Sequence, residues 1–315
     1  MNMPLHCFLT GATGFIGSHL TRALLARNHR VTALIRPGAN LDRIADCVTR
    51  IDVIEGSLDD YEHLRSVLVG RRFDAVCHLA WAGVTAEHRN DFEQLTWNVT
   101  RSLELWSLLQ SAGCATWLSI GSQAEYGLYS GIIHENFPPA PVTAYGTAKL
   151  ALCLLTGRLC AMAGMRFVWL RLFSAYGPAD DDRHMVPSLV RALLRRERYP
   201  LTVGEQVWDF LYIEDVVAAF VKSLESPAAE GVFNLASGAP VRLRDFMEAI
   251  RDQIDHSLPL DIGDLPYRPD QVMHLEGDVS RLRLAIGWSP RIDWIEGVRR
   301  TVDWYRKKEI AAHVK

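Results

Sequence analysis

With 315 residues, 49% of them hydrophobic, the chain is long and apolar enough for one large globular domain with a smaller lobe, and it is neither disordered nor fibrous. A formal net charge of −3 excludes the basic footprint of a nucleic-acid binder, and local runs such as Arg195–Arg198 read as solvated helix faces. No apolar run approaches the roughly 20 residues of a bilayer-crossing helix, so no membrane span is expected.

The first strand is read at His6–Thr10, leaving no room ahead of it for a removable signal segment, and a cytoplasmic location is expected. Further apolar runs at Val31–Ile35, Ile51–Ile54, Ala75–Leu79, Thr116–Ile120 and Phe167–Leu170 alternate with helical stretches. One helix, over Phe92–Ser111, would put Leu95, Val99, Leu103, Trp106 and Leu109 on nearly one face. A second runs over Tyr145–Met162. This alternation predicts an α/β fold, a doubly wound parallel sheet wrapped by helices.

After Phe173 the texture changes to the turn-rich Ser174–Pro178 and the acidic Asp180–Asp182. The segments Phe210–Phe220 and Gly231–Leu235 are expected to return to the main sheet. The reading is therefore a dinucleotide-binding domain over 1–173 plus 208–238 and a substrate-binding lobe over 174–207 plus 239–315. Six cysteines lack CxxC spacing and eleven histidines form no HExxH pair, so buried thiols and no metal are expected.

Gly11, Gly14 and Gly17 lie between the first strand and the helix after it. There a glycine permits the tight turn, another admits a pyrophosphate to backbone N–H groups, and the third packs helix on strand. At the end of the second strand, where an acid commonly binds a ribose 2′-hydroxyl, this chain has Arg36. A guanidinium there suits a 2′-phosphate, so NADP(H) is preferred over NAD(H), with Asp42 kept as an acid that could still reach the ribose.

Tyr145 and Lys149 are one helical turn apart and follow a strand that ends near Ser122. With Thr10–Gly17, His78–Ala80, Asn98–Val99, Gly121–Gly127, Ala175–Pro178, Trp208–Asp215 and Leu284–Pro290, they make the chain resemble the extended short-chain dehydrogenase/reductase family of nucleotide-sugar epimerases, dehydratases and ketoreductases. The resemblance implies that Ser122 hydrogen-bonds the substrate oxygen, Tyr145 moves its proton, and Lys149 binds the nicotinamide ribose while depressing, together with cofactor charge, the tyrosine pKa from its ordinary value of about 10. It also implies cofactor contacts at Thr10, Phe15, Ile16, Leu58, Leu79, Ala80, Asn98 and Phe173, with the helices at 92–111 and 145–162 forming a homodimer interface.

Departures from the family pattern narrow the reaction. Gln123 and Ala124 replace the Asp-Glu pair of the 4,6-dehydratases, and Ala124 also replaces the cysteine of the epimerase-reductases. Carbonyl reduction or 4-epimerisation remains, and Arg36 favours reduction of a nucleotide-activated 4-keto-6-deoxyhexose by NADPH. The alternatives are an NAD-retaining 4-epimerase and, against the intact Ser122, Tyr145 and Lys149, an inactive dinucleotide-binding sensor. Ser174 and Trp208 stand where relatives often have an asparagine and an arginine near the diphosphate. Arg268 is the best remaining anion contact, and Trp81, Gln123 and His184 are further pocket candidates.

Overall fold

The computed structural model describes residues 3–268 and 271–313. The six apolar runs all form strands: β1 (His6–Thr10), β2 (Arg30–Ile35), β3 (Asp52–Glu55), β4 (Ala75–His78), β5 (Thr116–Ser122) and β6 (Arg166–Leu172). With β7 (Gly231–Leu235) they make one sheet in the order β7-β6-β5-β4-β1-β2-β3, every pair parallel. Helices cover both faces, which is why Cys7, Phe8, Leu9, Val76 and Cys77 are all buried although they point to opposite sides.

Nine helices surround the sheet among the described residues: α1 (Phe15–Ala26), α2 (Tyr61–Leu68), α3 (Thr100–Ser111), α4 (Ala144–Ala163), α5 (Met185–Leu194), α6 (Ile213–Glu225), α7 (Leu243–Ile254), α8 (Ser280–Ile286) and α9 (Trp294–His313). α1 and α6 pack together on one face through Leu20, Leu24, Val216 and Phe220. On the other, Leu64, Leu105 and Leu109 close over Phe8 and Trp117, and α4 sets Leu152 and Cys153 near Trp169. α4 is long and apolar enough to cross a membrane, yet its Lys149, Leu152, Cys153, Thr156 and Cys160 are buried in this core. All six cysteines are free and buried.

Three local differences from the sequence reading shape the site. β5 and β6 pair in register from Thr116–Arg166 through Ser122–Leu172, so the sheet rim reaches Ser122. The helix expected over Phe92–Ser111 begins as a wider π-helical stretch, Gln94–Val99, before α3. That extra width shifts the phase of the buried face, which takes in Leu105 and Leu109 while Leu95 faces solvent. Phe210–Tyr212 does not return to the main sheet, because β7 occupies the β6 edge; it pairs instead with Ser174–Tyr176.

The second lobe holds a small sheet of Val241–Arg242, Val207–Trp208, His274–Gly277 and Gly131–Ile133, the last arriving from within the expected first domain. Asp209 ties the lobe to the main sheet. Its wholly buried carboxylate accepts the Ser237 N–H and hydroxyl and the N–H groups of Gly238 and Gly277. Four donors satisfy the charge whose burial pushes the Asp209 pKa up.

Candidate active site

A cleft of about 1000 Å³ opens at the carboxyl ends of the strands, where the order reverses between β1 and β4. Its floor is backbone. Gly11 turns the chain at φ +78°, and a Cβ there would approach the Ala80 nitrogen to 2.9 Å, while one on Gly17 would sit 1.9 Å from the Gly11 oxygen. Thr10 locks this crossing: its hydroxyl accepts the N–H groups of Leu79 and Ala80 at 3.2 and 3.1 Å and pairs with His78 Nδ1 at 2.9 Å. Burial keeps that imidazole neutral down to about 3, and its Nε2 meets the Ser102 hydroxyl at 2.8 Å.

α1 starts at Gly14 with no side-chain cap and no acid in its first turn, so the N–H groups around Phe15 and Ile16 meet the cleft unscreened. An uncapped helix end behind a crossing too tight for any side chain fits a dinucleotide pyrophosphate. Leu58, Leu79, Ala80 and Phe173 line the same half. Ser57, also on this wall, donates to Asp59 at 3.0 Å. Arg36 lines it with no ion-pair partner among the described residues. Arg43, which sequence reading misses, stands with it and spends two N–H groups on the Ala179 and Asp180 carbonyls at 2.9 and 3.2 Å. Asp42 does not line the cleft, and Asn40 binds its carboxylate at 3.1 Å.

The catalytic wall gathers side chains from separate elements. The Thr143 hydroxyl caps α4 at the Gly146 N–H, Asn90 Oδ1 takes the Ala144 N–H, and the Arg89 carbonyl takes the Tyr145 N–H at 2.8 Å. A Cβ on Gly146 would meet the Ala124 oxygen at 2.4 Å, so the small residue after Tyr145 lets α4 approach the end of β5. Burial holds the Tyr145 phenol above its ordinary pKa against the opposing pull of the Ser122 hydroxyl. Lys149, 3% exposed, donates from Nζ to the Ile120 carbonyl at 2.9 Å and lies 3.7 Å from the Trp81 ring centroid.

In the chain without dinucleotide the phenol stands above its ordinary value, burial being the largest cause. Burial lowers the Lys149 ammonium to about 7 against the opposing pull of Glu125. Its Nζ points at a carbonyl and an indole rather than at the phenol oxygen.

Sequence reading also misses the residues that hold this wall. Glu125, wholly buried, accepts the Ser122 N–H and Trp169 Nε1–H at 2.9 Å each and pairs with Arg171 at 2.7 Å. Burial works against the Arg171 cation, and Glu125 more than offsets it, raising the pKa. The Ser-x-x-Glu spacing of a capping box is the local signal that marks Glu125. Asn98 does not line the cleft. Its amide binds both backbone groups of Ala82, while Gln94 holds the carbonyls of Gly83 and His88 and the Trp81 indole N–H. The π-helical stretch points both amides at this one loop.

Trp81, Gln123, Ser174, His184 and Arg268 all line the remaining wall. The two departures, Ser174 and Trp208, meet each other: the indole N–H donates to the serine hydroxyl at 2.7 Å. His184 is raised by its 2.9 Å hydrogen bond to Asp180. Arg268 is exposed at the mouth.

A pyrophosphate cradle facing a protein-borne proton donor is suited to hydride chemistry, the work of an NAD(P)-dependent oxidoreductase of the extended short-chain type. Residues 7–236 match the NAD dependent epimerase/dehydratase family, and the chain belongs to that family. It is 30% identical over 318 residues to GDP-6-deoxy-D-mannose reductase of Pseudomonas aeruginosa, spanning 96% of this chain and 98% of that one. A UDP-glucose 4-epimerase of Corynebacterium glutamicum is 27% identical across 90% of each chain. The solved structure of RMD from Pseudomonas aeruginosa complexed with NADPH matches with a TM-score of 0.81 at 26% identity, covering 96% of this chain and 99% of that one.

Proposed function

We propose that the chain is an NADPH-dependent reductase of a nucleotide-activated 4-keto-6-deoxyhexose. The observation that carries this reading is the pair Arg36 and Arg43 at the nucleotide end, with the acid Asp42 turned out of the cleft. Two guanidiniums suit a ribose 2′-phosphate and give no acceptor for a free 2′-hydroxyl. The 30% identity to a GDP-6-deoxy-D-mannose reductase points the same way.

The glycine crossing and the first turn of α1 would hold the pyrophosphate, Leu58 would flank the adenine, and Tyr145 and Lys149 would meet the nicotinamide ribose. A bound reduced nicotinamide supplies the hydride. Ser122 orients the substrate carbonyl through a hydrogen bond, and Tyr145 delivers its phenolic proton to the oxygen that becomes the new hydroxyl. The side chains following Ser122, Gln123 and Ala124, supply neither carboxylate nor thiol, so the proton that moves is the one on oxygen. Trp208, held by Ser174, gives the sugar-diphosphate wall an aromatic face, with Arg268 as the anion contact at the mouth. Phe92, Leu154, Leu155 and Met162, exposed on the π-helical approach and α4, support a homodimer through these helices, which sedimentation checks.

The 27% identity to a UDP-glucose 4-epimerase supports a second reading, 4-epimerisation with retained NAD. An NADPH-oxidation assay against nucleotide 4-keto-6-deoxy sugars with different bases separates the two. Stoichiometric NADPH consumption is expected. Interconversion of 4-epimers on NAD that co-purifies, with no net oxidation, would replace the proposal by the epimerase.

A further inference from the structure

The loop after β4 lays an indole face over Lys149. The Lys149 Nζ lies 3.7 Å from the Trp81 ring centroid and donates to the Ile120 carbonyl at 2.9 Å, so it meets two groups that favour a cation. The indole is itself fixed. Its Nε1–H donates at 2.8 Å to Oε1 of the buried Gln94, whose amide nitrogen holds the carbonyls of Gly83 and His88 on the same loop. Its ring meets the Tyr145 ring edge to face, at 84° with centroids 6.0 Å apart. Burial strips water from the ammonium, and Glu125, which pulls the other way, spends its oxygens on the Ser122 N–H, the Trp169 indole N–H and Arg171. The ring face stands where that water would be.

We propose that Trp81 is a positioning residue for the reaction, its indole face holding the Lys149 ammonium charged and seated beside Tyr145. This rests on Lys149 serving the dinucleotide ribose in the proposed reduction. The carbonyl and the ring face occupy two of the three ammonium N–H groups, which leaves one for that ribose. The ionisable groups around the ammonium come from each neighbouring element: His78 at the end of β4, Arg89 further along the Trp81 loop, Glu125 after β5, Arg171 on β6 and Tyr145 on α4. His78 stays neutral, Arg171 is paired with Glu125, and Arg89 stands over the Tyr145 ring at 5.7 Å, so none of them takes the place of the indole against Nζ. Indole has the most attractive ring face for a cation, and the attraction is largest where water is scarce. A side chain that only shielded the ammonium would do the reverse and favour the neutral amine.

The test reads Lys149 directly. Its Cε resonance is titrated by NMR in isotope-labelled wild type, Trp81→Leu, Trp81→Met, Trp81→Phe and Trp81→Tyr. The signal is told apart from those of Lys222, Lys307, Lys308 and Lys315 by its loss in Lys149→Met. The midpoint is expected to fall by about one pH unit in Trp81→Leu and Trp81→Met and to return part of the way in Trp81→Phe and Trp81→Tyr, which keep a ring. The alkaline limb of kcat/KM for reduction is expected to move down with it, since the charged lysine is the working form. A midpoint that rises in the ringless variants, as shielding alone would give, overturns the proposal. So does one that stays in place, or falls equally in all four variants, even with turnover lost. The titration needs neither dinucleotide nor sugar, so its failure stands apart from whether a 4-keto sugar is reduced.

Discussion

The two halves of the cleft are built from different materials. The nucleotide half is backbone, a crossing of Gly11 against Ala80 and an uncapped helix start at Gly14. The catalytic half is side chain, drawn from the ends of β4, β5 and β6 and the start of α4. A backbone site is insensitive to most substitutions and intolerant of a Cβ in the wrong place. A side-chain site fails one residue at a time.

The largest expected effect separates the halves outright. Tyr145→Phe removes one transferable proton and no backbone, so turnover should fall by about 10²–10⁴-fold while dinucleotide affinity stays at the wild-type value. Steady-state rates beside a fluorescence titration of NADPH check both. Near-normal turnover would take the proton donor away from Tyr145.

Glu125 tests the support behind that wall. Glu125→Gln keeps the shape of the side chain but leaves the Arg171 guanidinium buried beside Tyr126 with no counter-charge. Breaking a buried pair from one side costs about 3–5 kcal/mol, read as a lowered denaturation midpoint. The Ser122 N–H would keep an amide oxygen to donate to, so the stability loss should exceed the loss in turnover of the surviving folded fraction. A variant as stable as the wild type would show that the pair is not needed to hold β5 to β6.

The same contrast explains what was legible in the sequence. The seven parallel strands and the glycine crossing show because periodicity and turn chemistry act over a few residues, and Tyr145 with Lys149 shows because a helical turn brings them together. Phe210–Tyr212 misleads because its apolar pattern says strand but not which edge is free, and β7 has taken the β6 edge. The support network is silent for a like reason. Glu125 meets Arg171 46 residues later, and Ser174 meets Trp208 34 residues later. Each of those last two looks like an isolated departure until the fold joins them, when the pair becomes one change: a neutral, hydrogen-bonded indole wall. Arg89 has no motif at all, and only the capping of α4 by its loop brings it to Tyr145.

The smallest expected effect lies in the nucleotide half and concerns its arginine side chains. Arg36 is exposed and its side chain makes no hydrogen bond or ion pair among the described residues, so Arg36→Ala should leave the denaturation midpoint and NADH affinity unchanged while weakening NADPH by about tenfold, one charge-assisted contact at the low end of its range. Arg43 does two jobs, since the same guanidinium holds the Ala179 and Asp180 carbonyls. Arg43→Ala should accordingly weaken both dinucleotides and lower stability, with NADPH affected more. Comparing the two variants separates reading of the phosphate from holding of the wall. If Arg36→Ala weakens NADPH and NADH equally, the residue does not read the 2′-phosphate, and the side-chain exception in this backbone-built half belongs to Arg43 alone.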